Sequence, residues 1–164
     1  MKHETAGTTD DPAYQEAAMV FYRRHGCRLN PRAEALMRTF GKLIQNPEVY
    51  STMWSVSEFH VAGTLQHWQI ANRLDEISVP TLVIGGRYDE STPSVTETIH
   101  RGIPGSEWVI FENSSHMPHF EETGRYLQVL TDFLNRVEAL SKRPANASSG
   151  KETETTALHK NVNR

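Results

Sequence analysis

Two residues of this chain have the types and the spacing of a proton-transfer pair. Asp89 lies in "GGRYDESTP" (residues 85–93), directly after the apolar run "PTLVI", and His116 follows 27 positions later in "NSSHMPHFEE". A carboxylate that accepts the Nδ1 proton of a histidine fixes the tautomer and stabilises the imidazolium that forms when the other nitrogen takes a proton. Serine and cysteine nucleophiles need that division of labour. Taken alone, an Asp after a strand is a turn or cap residue and a loop His is simply solvated; the pair acquires meaning only if the fold brings both to one place.

The surrounding elements predict that it does. "TLVIGG" is a short β-favouring run ending in two glycines, as expected of a fully buried parallel strand over residues 81–86. "PSVTETIHRGI" reads as a helix with Pro93 at its start and Gly102 at its end, and "SEWVIFE" reads as a second strand. Two strands joined through a helix form a parallel pair, and ligand chemistry in such sheets collects at the carboxyl ends of the strands. Asp89 and His116 each follow a strand, so both fall on that edge.

Upstream, "DPAYQEAAMVFYRRHGC" has a helix cap at Asp11 and a stop at Gly26, with Ala17, Val20 and Phe21 at helical spacing. "NPRAEALMRTFGKLI" predicts a second helix capped by Asn30, with Leu36, Met37, Phe40 and Leu43 on its apolar face. Residues 47–70 have no clean period and predict short helical turns among loops. "TGRYLQVLTDFLNRVEAL" predicts a final amphipathic helix that buries Tyr126, Leu127, Leu130, Phe133, Leu134 and Val137. Residues 1–10 predict a flexible lead-in, and the Ser-, Thr- and Asn-rich residues 141–164 a disordered tail.

Composition excludes several classes. The 164 residues, 37% apolar and 23% charged, suffice for one globular domain. No stretch approaches the ~20 apolar residues of a membrane span, and the polar start predicts no secretory leader. Cys27, the sole cysteine, permits no internal disulfide and suits a reducing, cytoplasmic compartment. From Ser141 onward there are five Lys/Arg against two Asp/Glu; the first 140 residues carry twelve against eighteen. An acidic body of that kind is no nucleic-acid surface and accommodates a cationic ligand better.

With these residues in hand, the chain resembles the closing part of an α/β-hydrolase. The strand followed by Gly-x-x-Asp-x-x-x-Pro, then Ser-His before a Glu-containing helix, matches that superfamily across roughly residues 11–138. Within it, "SEFHVAGTLQHWQI" is similar to the cap segment of the proline iminopeptidases (prolyl aminopeptidases). The resemblance implies a helical cap segment over 11–76, a carboxyl-terminal α/β core segment over 77–140, Asp89 as triad acid and His116 as general base. It also implies that Glu58 and Glu90 grip the free α-amino group of a small peptide or amino-acid amide, with no cofactor or metal. Two carboxylates around an ammonium make charge-assisted hydrogen bonds, which suits an aminopeptidase. Trp54 and Phe59 would either wall a pocket for a proline ring or, with Trp68, form the core of the cap.

The sequence departs from the family where the nucleophile belongs. Such enzymes attack with a serine on a Gly-x-Ser-x-Gly elbow that precedes the acid and the histidine. Ser51, Ser55, Ser57 and Ser78 precede Asp89, and none has flanking glycines. The expectation is therefore a truncated, inactive chain whose partner is the missing amino-terminal half of the fold, and whose strand 81–86 lacks a neighbour on one edge, an association hazard. The alternatives are a non-catalytic binding fragment, or another α/β-hydrolase such as an esterase or epoxide hydrolase. His119, three residues after His116, has no third metal ligand in view and is assigned to packing or solvent. Cys27 is assigned to packing.

Overall fold

The structure, a computed structural model, describes residues 2–142; the tail expected over 141–164 lies almost wholly outside the described residues. A parallel pair of strands, β1 (Leu82–Gly86) and β2 (Glu107–Phe111), runs in register from Leu82 opposite Glu107 to Gly86 opposite Phe111. Helix α5 (Pro93–Gly102) connects them and packs on both strands. Its Thr96 Oγ1 accepts from Trp108 Nε1 at 3.1 Å and approaches Gly85, so the helix seats closely on the sheet. A 3-10 turn, Ala71–Glu76, lies against α5 and buries Leu74 beside Gly102. Val83, Ile103, Leu74 and Phe111 are buried there.

Two helices follow β2: the short α6 (Pro118–Glu121) and the long α7 (Thr123–Ser141). Helix α7 leans on the sheet through Phe111, which lies 6.0 Å from the Tyr126 ring and under the Arg125 guanidinium at 4.8 Å. Arg136 pairs with Glu107 further along. The apolar face is narrower than the sequence suggests. Tyr126, Leu130, Phe133 and Val137 are half-buried, whereas Leu127 and Leu134 stay exposed; the sheet among the described residues has two strands, a narrow layer to cover a wide stripe.

The amino-terminal part is helical. A short α1 (Lys2–Ala6) occupies residues expected as a lead-in, and α2 (Pro12–Phe21) begins under Asp11, whose carboxylate accepts the Ala13 N–H at 2.8 Å. The chain then tightens into a π-helical turn, Tyr22–Gly26. Helix α3 (Glu34–Gln45) starts three residues later than expected from sequence, with Ala33 rather than Asn30 at the cap position. A local Asn-Pro signal marks a turn here rather than a helix start. Leu36 is the one residue of α3 that is buried, while Met37 and Leu43 are exposed. Helix α4 (Glu48–Trp54) and a loop carrying an isolated Ser57–His60 bridge complete the segment. Trp68, expected in a core, is 67% exposed. Among the described residues no helix is long and apolar enough to cross a membrane.

Candidate active site

Gly86 at the end of β1 determines how the two loops meet. A Cβ on Gly86 would lie 2.1 Å from the Ser115 carbonyl oxygen and 2.5 Å from that of Ser114. Only a residue without a side chain lets the loop after β2 cross directly over the end of β1. The crossing is pinned by backbone bonds: Arg87 N–H donates to Phe111 O at 2.9 Å and Tyr88 N–H to Ser114 O at 3.0 Å.

That crossing delivers His116 to Asp89. The imidazole Nδ1 lies 2.9 Å from Asp89 Oδ1. Asp89 is only 7% exposed, and the same oxygen accepts the Ser91 N–H at 2.8 Å. An ionised carboxylate can only accept, so this bond places the proton on Nδ1 and leaves Nε2 unprotonated. The His116 side chain is 43% exposed, so that nitrogen is reachable. The hydrogen bond to Asp89 raises the imidazole's pKa above the usual histidine value, partly opposed by burial.

Two adjacent carboxylates at the carboxyl end of α6 hold the histidine loop. Glu121 accepts from Ser115 N–H and Ser115 O–H, each at 2.8 Å, from Met117 N–H at 3.3 Å, and from Arg28 N–H at 2.8 Å. Glu122 accepts from Asn113 N–H at 3.1 Å and Ser114 O–H at 2.6 Å. Ser114 and Ser115 are fully buried. Their polar atoms would be costly to leave unpaired, and the two carboxylates pair them. The π-helical turn braces the site from the other side: His25 O accepts His116 N–H at 3.1 Å, and His25 Nδ1 donates to Tyr88 O at 2.8 Å.

A second acidic group sits beside the pair. Glu90 Oε1 is 3.9 Å from His116 Nδ1. Burial raises the pKa of Glu90, with the charges of Glu58 and Asp89 adding to it, while the positive charge of His116 opposes it. Glu58 receives Tyr22 O–H on Oε1 and Tyr50 O–H on Oε2, and its own N–H donates to Tyr50 Oη at 3.2 Å. Burial and the bond to Glu58 hold both phenols well above the usual tyrosine range. A carboxylate has about four acceptor positions, so two phenols leave room for an ammonium.

Of the residues singled out in sequence, Asp89, His116, Glu90 and Glu58 are brought into one electrostatic neighbourhood. Phe59 joins its edge, with its ring 5.0 Å from Phe21 and 5.7 Å from Tyr22. Trp54 ends α4 half-buried, its carbonyl accepting Ala62 N–H at 3.2 Å. His119 packs beside Phe120 and Tyr126, and Cys27 is buried. Among the described residues no cluster of three or more His, Cys, Asp or Glu is arranged to hold a metal. Sequence reasoning missed Tyr22, Tyr50, His25 and Glu121. The two tyrosines reach Glu58 from 36 and 8 positions away, and no local pattern announces that.

A parallel strand pair with an Asp–His couple at its carboxyl edge, flanked by helices, is the closing part of an α/β-hydrolase. Among such proteins this chain is proline-iminopeptidase-like, homologous to the carboxyl-terminal part of those enzymes. It is 40% identical over 140 residues to a proline iminopeptidase of Saccharolobus solfataricus, covering 85% of this chain and 45% of that one. The solved proline iminopeptidase of Mycobacterium smegmatis superposes with a TM-score of 0.78 at 36% identity, over 86% of this chain and 47% of that one. The crystal structure of VinJ does so with a TM-score of 0.77 at 42% identity, over 83% and 46%. The chain thus spans just under half the length of the relatives it matches. No protein-family model matches it.

Proposed function

We propose that these residues are the cap-and-base portion of a serine hydrolase that releases the amino-terminal residue, proline among others, from small peptides or amino-acid amides. Residues 11–76 form the cap segment and 77–140 the carboxyl-terminal core segment, in a cytoplasmic protein. A serine on an elbow outside these 164 residues attacks the carbonyl. His116 Nε2 takes its proton and later gives it to the leaving amine, and Asp89 orients the imidazole and stabilises its charged form. Glu58 and Glu90 bind the substrate's ammonium, and Phe59 and Trp54 face its side chain. The observation that carries this reading is the 2.9 Å contact between His116 Nδ1 and a buried Asp89, with two carboxylates alongside.

Two measurements test it. The chain alone releases no proline from proline 4-nitroanilide; supplied with the amino-terminal half of the Saccharolobus solfataricus relative, it does so, and His116→Ala abolishes that release. Turnover by the chain alone, surviving His116→Ala, refutes the roles of His116 and Asp89. Independently, prolinamide titrated into the isotope-labelled chain shifts resonances around Glu58 and Glu90, and Glu58→Gln weakens binding. Equal binding of N-acetylprolinamide, which has no ammonium, would instead favour a different α/β-hydrolase or a non-catalytic binding fragment.

A further inference from the structure

The segment between α2 and α3 lines a solvent-open cavity of about 570 Å³ that plays no part in the chemistry above. Arg23, Arg28 and Arg32 line it together with Met19, Met37 and Cys27, and no carboxylate does. This is unusual in a body whose first 140 residues carry more Asp and Glu than Lys and Arg. Arg28 is committed in part: its guanidinium lies 3.9 Å over the Tyr88 ring, and Nη1 donates to Asn113 O at 3.3 Å. Among the described residues, Arg23 and Arg32 make no ion pair or side-chain hydrogen bond, and Arg32 Nη2 is buried with no acceptor. A buried guanidinium nitrogen without a partner is costly, and three permanent positive charges around one space repel one another. An anion entering the cavity offsets that repulsion, and a turn of the Arg32 side chain toward it gives Nη2 an acceptor. The methionines and Cys27 supply an apolar wall that a bare ion does not use.

We infer that this cavity binds an amphipathic carboxylate, with the head against Arg23 and Arg32 and an apolar chain along Met19 and Met37. The flexible thioethers of Met19 and Met37 adapt to a chain of variable shape, and guanidinium forks match a carboxylate in two-point geometry.

Octanoate is the probe, with methyl-labelled methionine in the 164-residue protein as the readout. Octanoate shifts the Met19 and Met37 methyl resonances saturably and leaves those of Met53 and Met117 in place. Octanamide, with the same chain and no charge, binds at least about tenfold more weakly, as does octanoate to Arg32→Gln, since one charged hydrogen bond is worth about that factor. Arg23 is exposed, so Arg23→Gln folds normally and weakens octanoate in the same direction; it decides the matter if Arg32→Gln is destabilised. The inference is overturned if octanoate shifts no methionine, shifts all of them alike, binds no better than octanamide, or binds the folded arginine variants with wild-type affinity.

Discussion

Removing the Glu121 carboxylate tests how the Asp89–His116 pair is held. Glu121 touches neither Asp89 nor the His116 ring, yet it takes hydrogen bonds from the residues on both sides of His116 and from Arg28. The donors are not equivalent. Arg28 is exposed and Met117 half-buried, so water replaces much of what they lose. Ser115 is fully buried, and its N–H and O–H both point at Glu121. Stranding one buried donor costs about 1–3 kcal/mol, and the Ser115 hydroxyl can rotate while the amide cannot. Glu121→Ala should therefore cost about 3 kcal/mol. Glu121→Gln should cost about 1–2 kcal/mol, because it keeps one accepting oxygen where the carboxylate uses both: Oε1 takes Arg28 N–H, and Oε2 takes Ser115 and Met117 N–H. Urea unfolding read by tryptophan fluorescence measures this. With slopes of about 1–3 kcal/mol per M, the alanine variant's midpoint falls by about 1–3 M at unchanged slope. If Glu121→Ala unfolds within about 0.5 kcal/mol of the parent, the range of ordinary surface changes, the carboxylate does not hold this loop.

Three other outcomes follow from the same geometry. His116 gains its proton more readily when folded because of Asp89, so the pair's contribution to stability is complete below the unfolded histidine value of about 6.5 and is lost as pH rises through the folded value. Unfolding of the parent and of Asp89→Asn should differ most at about pH 5.5 and converge toward pH 8.5, and a constant difference contradicts this. Glu90 has the opposite sign to an ordinary ion-paired carboxylate: burial raises its pKa, so it favours the fold while protonated and opposes it once pH passes the folded value. Carbon-detected titration should show the Glu90 pKa falling in Glu58→Gln, which removes a nearby negative charge, and an unchanged or higher value refutes the coupling. Gly86→Ala places a Cβ 2.1 Å from Ser115 O and should cost about 3 kcal/mol or more, with loss of the Nδ1–H signal of His116; full retention of both would mean the loop crossing is loose.

The juxtaposition of Asp89 and His116 was legible in sequence because it follows from general rules. Each residue comes directly after a strand-like run, and parallel strands put their carboxyl ends together; the 2.9 Å contact needed nothing finer than that. The strands, the crossover helix and the closing helix were read for the same reason, since period and punctuation are local signals. Errors fell where local signals compete. Asn30-Pro31 looks like a helix start, but the helix begins at Glu34. Leu127 and Leu134 fit an apolar stripe by spacing but stay exposed, because how wide a stripe is covered depends on what lies opposite it.

The support of the site was not legible, and the physics explains why. Glu121 and Glu122 look like the charged end of a short helix, and Tyr22 and His25 like part of a polar turn beside two arginines. Their work is done by long-range hydrogen bonds: Tyr22 reaches Glu58, while His25 reaches Tyr88 and His116. A π-helical turn spans Tyr22–Gly26 and gives these two side chains a different angular spacing from that of an α-helix, a device that recurs at functional sites. One five-residue turn thus touches Glu58 through Tyr22 and the Asp89–His116 loops through His25. Glu58 and the Asp89–His116 pair consequently share one support.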